Sequence, residues 1–353
     1  METVLTIIQG KGTLPREQAG RNIHYDDASL ANYKKVEQGD FIIHLRSFEG
    51  GLEMANEDGI VSPAYTILRC KKPHSSLFYE AYFHTDEFIN HILSKSVEGI
   101  RDGRQISYEA FKWLGLPYCD VSEQERIAQL FCTLSHRIEK QQQMVDALKK
   151  YKRGLFNQIF SAISKSSQCR KLRELVRVSG GKTPSMSNSL YWNGDIVWIS
   201  SKDMKSSRIS GSELKITNLA LNEMTLYHPG TLLLVARSGI LKHSLPLAIL
   251  EVDATIIQDI KALQVHGCNA FYLYYAILSQ EDTIIRTLVK TGTTVQSLMM
   301  DSFLNIEIPT PDIDQQQRII DKLAKLEKYV EVQEKELSLL SQMRNGLLQQ
   351  LFI

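Results

Sequence analysis

The fold is decided by the stretch LPYCDVSEQERIAQLF, residues 116–131, which returns 192 positions later as IPTPDIDQQQRIIDKL, residues 308–323. The two copies stay aligned without a gap through GLFNQIF at 154–160 and GLLQQLF at 346–352. An internal repeat of this length predicts two copies of one structural unit.

Both copies have the pattern of a long helix. Ser122 and Asp314 are the candidate N-caps, because Glu125 and Gln317 follow three residues later as in a capping box. Apolar residues then recur in alternating steps of four and three for more than four heptads, which is the spacing of a coiled-coil seam. The predicted interface positions are Ile127, Leu134, Gln141, Leu148, Leu155, Ile319, Leu326, Gln333, Leu340 and Leu347.

The two seams are interrupted at matching places, by Gln141 and Gln333 and by Lys152 and Arg344. Polar seam positions fix register and partner, so matched interruptions favour pairing of the two helices with each other. Each helix of about 39 residues would be about 58 Å long. The sequence leaves their direction open; a pseudo-twofold relation of the halves would make them antiparallel. The alternative is two independent amphipathic helices on separate cores.

The segments that precede the helices are mixed, which predicts an α+β fold. Short strands are expected at Phe41–Leu45, Tyr65–Leu68, Ile196–Ser200 and Thr231–Ala236. The predicted domains are a globular domain at 1–116, a helix at 117–160, a second globular domain at 161–308 and a helix at 309–353. The repeat extends weakly into the globular domains, where EQGDFIIHLRS at 37–47 matches HPGTLLLVARS at 228–238. By this alignment the first domain is shortened and lacks the counterpart of about residues 165–191.

Composition excludes several classes of protein. The 353 residues include 41 basic and 40 acidic side chains, so a polyanion site must be local. Five scattered cysteines predict neither a disulfide framework nor a metal site. No stretch has the length of a signal peptide core or a membrane span, so we expect a cytoplasmic protein without membrane contact.

No motif predicts catalysis. The sequence SGGKTPS at 179–185 lacks the first glycine of a phosphate-binding loop, where Val176 stands. The triplet Asp259-Ile260-Lys261 has no partner carboxylate for nuclease chemistry, and no Asn/Asp-Pro-Pro-aromatic segment of an adenine methyltransferase is present.

The glycine loop 180–185 and the turns after predicted strands carry hydroxyls and cations, the groups that contact phosphates and base edges. The alternative for each residue is a solvated turn, and for Arg46 and Arg237 it is also a structural ion pair at a strand end. Trp192 and Trp198 are expected in the core rather than stacked on bases. The candidate DNA-binding residues are Lys182, Thr183, Ser185, Ser200, Ser201, Lys202, Arg237, Ser238, Lys242, Arg46 and Ser47.

The order of GGKTPSMSNSLYWNGDIVWISSKDM, LYHPGTLLLVARSGI, TIIQDIKAL and IPTPDIDQQQRIIDKLAKLE resembles the specificity subunits of Type I restriction-modification enzymes. Residues 170–353 carry the resemblance strongly, and 20–160 carry it through NYKKVEQGDFIIHL, GIVSPAYTILRC and VSEQERIAQLF.

The resemblance implies two target recognition domains, each reading half of a split double-stranded DNA site, separated by an antiparallel coiled coil. It implies docking of two methyltransferase subunits and of restriction and translocase subunits. The chain itself would be non-catalytic and hold no cofactor, since S-adenosylmethionine, ATP and Mg would be bound by the partners for adenine-N6 methylation and restriction. The alternative is an assembly or inhibitory scaffold that binds the methyltransferase subunits without reading DNA, because its first domain is shortened. The bases recognised cannot be deduced from the sequence.

Overall fold

The computed structural model describes residues 2–19, 27–43, 52–98, 105–290, 292 and 295–352. The chain divides into unit 1, Met1–Met144 with Gln333–Ile353, and unit 2, Val145–Val332. Helices and strands alternate irregularly, so the protein is α+β as predicted. All five cysteines are free. In the described ranges, no helix has both the length and the apolarity that a membrane span needs.

Unit 1 contains small antiparallel sheets, with the strand order β1-β2, β3-β6, β5-β4-β7 and β8-β9. Its strands are β1 Leu5–Ile8, β2 Gly12–Pro15, β3 Lys34–Val36, β4 Phe41–Ile43, β5 Glu53–Met54, β6 Gly59–Val61, β7 Thr66–Leu68, β8 Val97–Glu98 and β9 Gln105–Ile106, and its helices are α1 Ser76–Phe83, α2 Tyr108–Phe111 and the first part of α3 Val121–Ser166.

Unit 2 contains a five-stranded sheet of order β11-β18-β15-β16-β13, a three-stranded sheet of order β14-β12-β17, and the pairs β10-β21 and β19-β20. Its strands are β10 Cys169–Lys171, β11 Val176–Gly180, β12 Trp192–Ile199, β13 Arg208–Ile209, β14 Leu214–Ile216, β15 Leu232–Val235, β16 Leu247–Leu250, β17 Ala254–Ile256, β18 Ile260–Val265, β19 Val289–Lys290, β20 Ser297–Leu298 and β21 Glu307–Pro309. Its helices are the last part of α3, α4 Asn218–Leu221, α5 Ala270–Leu278, α6 Glu281–Leu288, α7 Met300–Phe303 and the first part of α8 Ile313–Leu351. The part of α8 from Gln333 onward belongs to unit 1.

The two long helices exist, but the predicted caps were wrong. Helix α3 has 46 residues rather than about 39, and α8 has 39. Each helix begins before the residue predicted to cap it, directly after an aspartate. The Asp312 carboxylate accepts a hydrogen bond from the backbone N of Gln315 at 2.7 Å, and the Asp120 carbonyl accepts from the backbone N of Gln124 at 2.9 Å. Aspartate is as good an N-cap as serine, and the capping-box spacing did not discriminate between neighbouring candidates.

In unit 1, α3 and α8 contact each other in antiparallel order. The Gln141 side-chain amide donates to the carbonyl and to the side-chain oxygen of Gln333, at 3.0 and 2.9 Å. One turn earlier on α3, Arg137 pairs with Glu336 at 3.6 Å, one turn later on α8. All ten predicted interface positions are buried or half-buried.

In unit 2, the same two helices also share a core. Phe156 and Phe160 of α3 belong to one buried cluster with Ile319, Ile320 and Leu323 of α8. The other parts of α3 and α8 bury their apolar faces against the sheets and short helices of their own unit. The heptad stripe is therefore used for helix pairing and for packing on the globular parts.

Elements recur at the spacing of the sequence repeat. The pair β8-β9 and helix α2 of unit 1 have the pair β19-β20 and helix α7 of unit 2 as counterparts, 192 residues later. Gly39 and Gly230 precede the buried strands β4 and β15 with φ of 91° and 88°, a conformation that favours glycine.

One counterpart is missing from the described part of unit 1. In unit 2, β10 covers β21, and Ile308 there is fully buried. The matching segment of unit 1 has no strand partner among the described residues, and it leaves Trp113, Leu116 and Tyr118 with 82%, 39% and 54% of their surface exposed.

A buried ion pair holds the β1-β2 hairpin of unit 1. The Glu53 carboxylate accepts hydrogen bonds from the backbone N of Gly10 at 2.7 Å and of Gly12 at 3.0 Å. His84 Nε2 lies 3.5 Å from Glu53 Oε1. Burial opposes both charges, but the attraction between the two side chains and the bonds from neighbouring backbone groups outweigh it. The pKa of His84 therefore lies above 6.5, and the pKa of Glu53 lies below 4.5.

The contribution of this pair to the stability of unit 1 should consequently peak in mildly acidic solution. The raised pKa of His84 gives a contribution that is complete below 6.5 and is lost as pH rises through the folded-state pKa. The lowered pKa of Glu53 gives one that is complete above 4.5 and is lost as pH falls through its folded-state pKa. We expect His84→Gln to cost about 1 kcal/mol at a pH between these values and clearly less at higher pH. Urea unfolding followed by circular dichroism measures this, and equal costs at both pH values would contradict it.

Candidate nucleic-acid interface

The loop Gly180–Ser185 of unit 2 is docked on strand β17. The backbone N of Lys182 donates to the Ile256 carbonyl at 3.0 Å. A Cβ on Gly181 would lie 1.9 Å from that same carbonyl oxygen, so only glycine permits this approach. The indole of Trp198 donates to the Lys182 carbonyl at 3.2 Å. Lys182 is thereby held at the surface by a backbone with little freedom to move.

A second loop follows β17 and continues the same surface. The Thr183 hydroxyl donates to the side-chain oxygen of Gln258, and both residues are exposed. The next carbonyl, that of Asp259, accepts from the backbone N of Ala236 at 2.8 Å. Ala236 directly follows β15, so the loops after β11, β17 and β15 lie side by side.

The fourth segment is the approach to β20. The backbone N of Ser238 donates to the Gln296 carbonyl at 3.1 Å, and Arg237 forms an isolated β-bridge with Ser297. We call these four neighbouring segments, residues 181–183, 256–259, 236–238 and 296–298, the loop row. It brings together Lys182, Thr183, Arg237 and Ser238 as side chains of one surface.

Arg237 is the central cation of the loop row. Its side chain is exposed, and no carboxylate pairs with it in the described part of the chain. The ion-pair alternative therefore has no support for Arg237. Lys242 is exposed at the end of a short 3-10 helix, Gly239–Lys242, which the Ser238 hydroxyl caps by accepting from the backbone N of Ile240 at 3.4 Å.

Ser200 has a role within its own turn. It follows β12, which pairs in parallel with β17, so it also lies close to the loop row. Its hydroxyl and its backbone N both donate to Asp203 Oδ2, at 2.7 and 2.8 Å. Burial raises the pKa of Asp203, but these bonds and one from Glu213 outweigh it and leave the pKa lowered. Ser201 is half-buried and Lys202 is exposed, so Lys202 is the better candidate contact of the three.

The tryptophans lie where the sequence predicted. Trp198 is 4% exposed, and its ring meets the half-buried Trp192 edge-on at 5.2 Å between centroids. The Trp192 indole donates to the carbonyl of Ser185 at 3.1 Å, while the Ser185 hydroxyl bonds that of Ser187 at 2.9 Å. Both tryptophans thus support the first loop from beneath.

Two residues of the loop row were not predicted. Gln258 and Gln296 carry side-chain amides, which combine a donor and an acceptor at fixed spacing. The only available signal was the position of Gln258 after a short, fully buried strand, and no signal marked Gln296. Arg46 and Ser47 lie outside the described residues. Where residues are described, no group of His, Cys, Asp or Glu is arranged to hold a metal ion.

Known proteins resemble this chain in sequence and in fold. Residues 164–342 match the family model "Type I restriction modification DNA specificity domain". The specificity subunit of the Type I restriction enzyme EcoR124I/EcoR124II of Escherichia coli is 31% identical over 252 residues, which are 68% of this chain and 62% of that protein. The MjaIX specificity subunit of Methanocaldococcus jannaschii is 29% identical over 197 residues, which are 54% of this chain and 45% of that protein. The match thus spans less than two thirds of either relative.

Among solved structures, the S subunit of the Type I restriction-modification system from M. genitalium aligns with a TM-score of 0.59 and 16% identity, covering 91% of this chain and 84% of that one. A Type I restriction-modification complex structure contains a chain that aligns with a TM-score of 0.56 and 16% identity, covering 90% of this chain and 83% of that one. At this identity the likeness concerns the fold alone. The family match over residues 164–342 confirms the resemblance drawn from the sequence, and the chain belongs to the family of Type I restriction-modification specificity subunits.

Proposed function

We propose that this chain reads a bipartite double-stranded DNA target for a Type I restriction-modification complex. The observation that carries the proposal is the loop row of unit 2, which joins exposed cations and amides on one surface inside the region that matches the DNA specificity domain. Net charge is only +1, so attraction to DNA is concentrated in such a local surface.

The chemistry of the loop row suits two kinds of contact. Lys182 and Lys202 supply positive charge for phosphates, which position a protein on the duplex without reading sequence. Arg237 at the centre suits a bidentate contact with guanine, and Gln258 suits adenine, because these side chains match the base edges in the major groove. The Thr183 hydroxyl donates to the side-chain oxygen of Gln258 and leaves the NH2 group of Gln258 free to donate to a base.

We propose that α3 and α8 act as an antiparallel coiled coil that sets the spacing between half-sites. The contacts Gln141–Gln333 and Arg137–Glu336 support the antiparallel direction. Readers on one face of DNA act about 34 Å, one helical turn, apart, and a helix of 39 residues has a length of about 58 Å. The boundaries proposed from sequence then separate two recognition domains, 1–116 and 161–308, from two spacer helices, 117–160 and 309–353.

In this proposal the catalytic steps of the complex belong to the partner subunits of this chain. Two methyltransferase subunits would dock on the chain and bind S-adenosylmethionine, and restriction and translocase subunits would bind ATP and Mg. The chain would act without catalytic residues in the compartment that holds the DNA, the cytoplasm.

Co-expression tests the proposal. The chain and its methyltransferase subunits would be expressed in a host without adenine methylation, and methyladenine would be mapped by long-read sequencing. We expect a split motif with one spacer length. Absence of any motif would refute DNA reading by the chain. The similarity to specificity subunits does not favour the assembly or inhibitory alternative. A gel shift with and without the methyltransferase subunits distinguishes this alternative from DNA reading, since a scaffold shifts no DNA in either case.

Arg237→Ala should reduce methylation of the target about tenfold or relax one base of the half-site read by unit 2, because a good base contact discriminates by about 1–3 kcal/mol. The melting temperature should hardly change, since Arg237 is exposed. The control is Arg286→Ala, an exposed cation on α6 outside the loop row. An unfolded Arg237→Ala chain would instead restore the structural ion-pair alternative.

A further inference from the structure

A fully buried glutamine ties the start of α3 to the globular part of unit 1. The Gln124 side-chain oxygen accepts from the backbone N of Ser75, the N-cap of α1, at 2.9 Å. Its amide donates to the Cys119 carbonyl at 2.9 Å. The Tyr79 hydroxyl of α1 donates to the Pro117 carbonyl at 3.0 Å. Two of these side-chain hydrogen bonds join α1 of the globular part to the segment from which α3 begins, and the third holds the Gln124 amide within that segment.

Unit 2 contains the same three bonds. The Gln316 side-chain oxygen accepts from the backbone N of Asn269, the N-cap of α5, at 2.8 Å. Its amide donates to the Pro311 carbonyl at 2.8 Å, and the Tyr272 hydroxyl donates to the Pro309 carbonyl at 2.7 Å. Burial, first, and nearby thiols raise the pKa of Tyr272, so its hydroxyl remains a donor. We call each set of three bonds a glutamine joint.

Burial makes these glutamines an unusual choice for packing. Gln124 is 0% exposed and Gln316 is 2% exposed. An apolar side chain of the same volume would fill either site without the desolvation that a buried amide requires. A fully satisfied amide, however, imposes one direction on the groups it joins, because any rotation of one element leaves buried donors or acceptors unpaired. The gain is in orientation more than in stability.

Sequence divergence between the units strengthens this reading. Their sheets differ in strand number and order, and Trp113 on the surface of unit 1 corresponds to Asn305 in unit 2. Both units nevertheless keep the glutamine, the tyrosine and all three accepting or donating backbone groups. A function shared by both halves is orientation of the globular part on its helix.

We infer that Gln124 and Gln316, with Tyr79 and Tyr272, are positioning residues that fix each recognition domain on its spacer helix and thereby set the accepted spacer length. This inference rests on the proposed DNA-reading function for its link to the spacer. One added base pair rotates a half-site by about 34° and moves it by about 3.4 Å, so a rigid joint discriminates against it and a loose joint tolerates it.

The test uses Gln316→Met, which keeps the volume and removes both amide bonds, together with the milder Tyr272→Phe, which removes one donor. Full-length chain carries nitroxide labels at the exposed residues Ser210 and Lys328 of unit 2, attached without cysteine chemistry. We expect the distribution of label distances to broaden in both variants, more for Gln316→Met. An unchanged distribution in the folded variants would overturn the joint, whatever the chain does with DNA.

The second arm measures methylation by the reconstituted complex on targets whose spacer is varied by one or two base pairs. We expect wild type to prefer one spacer by about tenfold or more and Gln316→Met to prefer it by only about twofold, with equal activity on the best target within about threefold. Gln124→Met should act likewise through the other joint. Retention of the wild-type preference, or a uniform loss at all spacers by a folded variant, would overturn the positioning role. A wild-type complex with no sequence preference would instead refute the proposed function and leave the label experiment to decide the joint.

Discussion

Gly181→Ala is expected to abolish reading of one half-site, whereas Gly180→Ala one residue earlier should leave it nearly intact. The added Cβ at Gly181 would lie 1.9 Å from the Ile256 carbonyl oxygen, which is rigid backbone within a buried strand. The loop must therefore move away by more than 1 Å to reach ordinary contact of about 3.5 Å. The bond from the Lys182 backbone to Ile256 is then lost, and the loop row loses its first segment.

The control is sharp because the two glycines differ in what a Cβ would meet. At Gly180 the nearest atom is the Lys261 ammonium nitrogen at 3.2 Å, the end of a flexible side chain that can withdraw. We expect Gly181→Ala to lower the free energy of unfolding of unit 2 by about 1–3 kcal/mol, as overpacking does. We also expect it to reduce methylation of the intact target about a hundredfold. Gly180→Ala should change methylation less than about threefold. Methylation assays and urea unfolding measure both, and equal effects of the two substitutions would show that docking on Ile256 is unimportant.

The long helices were predictable because their signal is redundant. Alternating apolar steps over more than four heptads cannot arise from a strand, and the matched Gln141 and Gln333 now bond each other across α3 and α8. The start of each helix was less predictable, since Ser122 and Asp120 are both acceptable caps and the sequence contains no information on which one the preceding chain can reach.

The loop row was predictable in part for a different reason. A glycine loop marked Thr183 and the end of a predicted strand marked Arg237, but the order of strands in the sheets brought Gln258 and Gln296 beside them. Strand order depends on contacts between residues distant in sequence, which no local pattern specifies. The tyrosines of the glutamine joints were not predicted for another reason. Tyr79 and Tyr272 are 193 residues apart, so an alignment of the two halves at 192 residues does not match them.

Partners of the interrupting seam cations were also unpredictable from sequence. In unit 2, Lys152 pairs with Glu327 at 2.7 Å, a residue 175 positions away. The matching cation of unit 1, Arg344, has Ser135 where this acid would stand by the repeat. The repeat therefore predicted the polar interruption in both helices but not its partner in either.

Glu327→Ala should destabilise unit 2 by about 2–3 kcal/mol, the other large effect we expect. Glu327 Oε2 also accepts from the Tyr275 hydroxyl at 3.0 Å. The Glu327 and Lys152 side chains are only 14% and 24% exposed. Removing the carboxylate leaves a poorly hydrated ammonium and a buried hydroxyl without their shared acceptor, and such orphaned groups cost more than the pair contributes. Burial raises the pKa of Tyr275 and persists in the variant, so the hydroxyl cannot relieve the loss by ionising.

The measurement is urea unfolding followed by tryptophan fluorescence, which reports on unit 2 because Trp198 is buried there and Trp113 of unit 1 is 82% exposed. The matched control is Glu251→Ala, which breaks the exposed pair with Arg208 and should cost at most about 1 kcal/mol. Lys152→Met combined with Glu327→Leu should cost less than the sum of the single changes, because the double variant leaves no charge unpaired. Additive costs, or a Glu327→Ala effect no larger than that of Glu251→Ala, would mean that solvent screens this pair as if it lay on the surface.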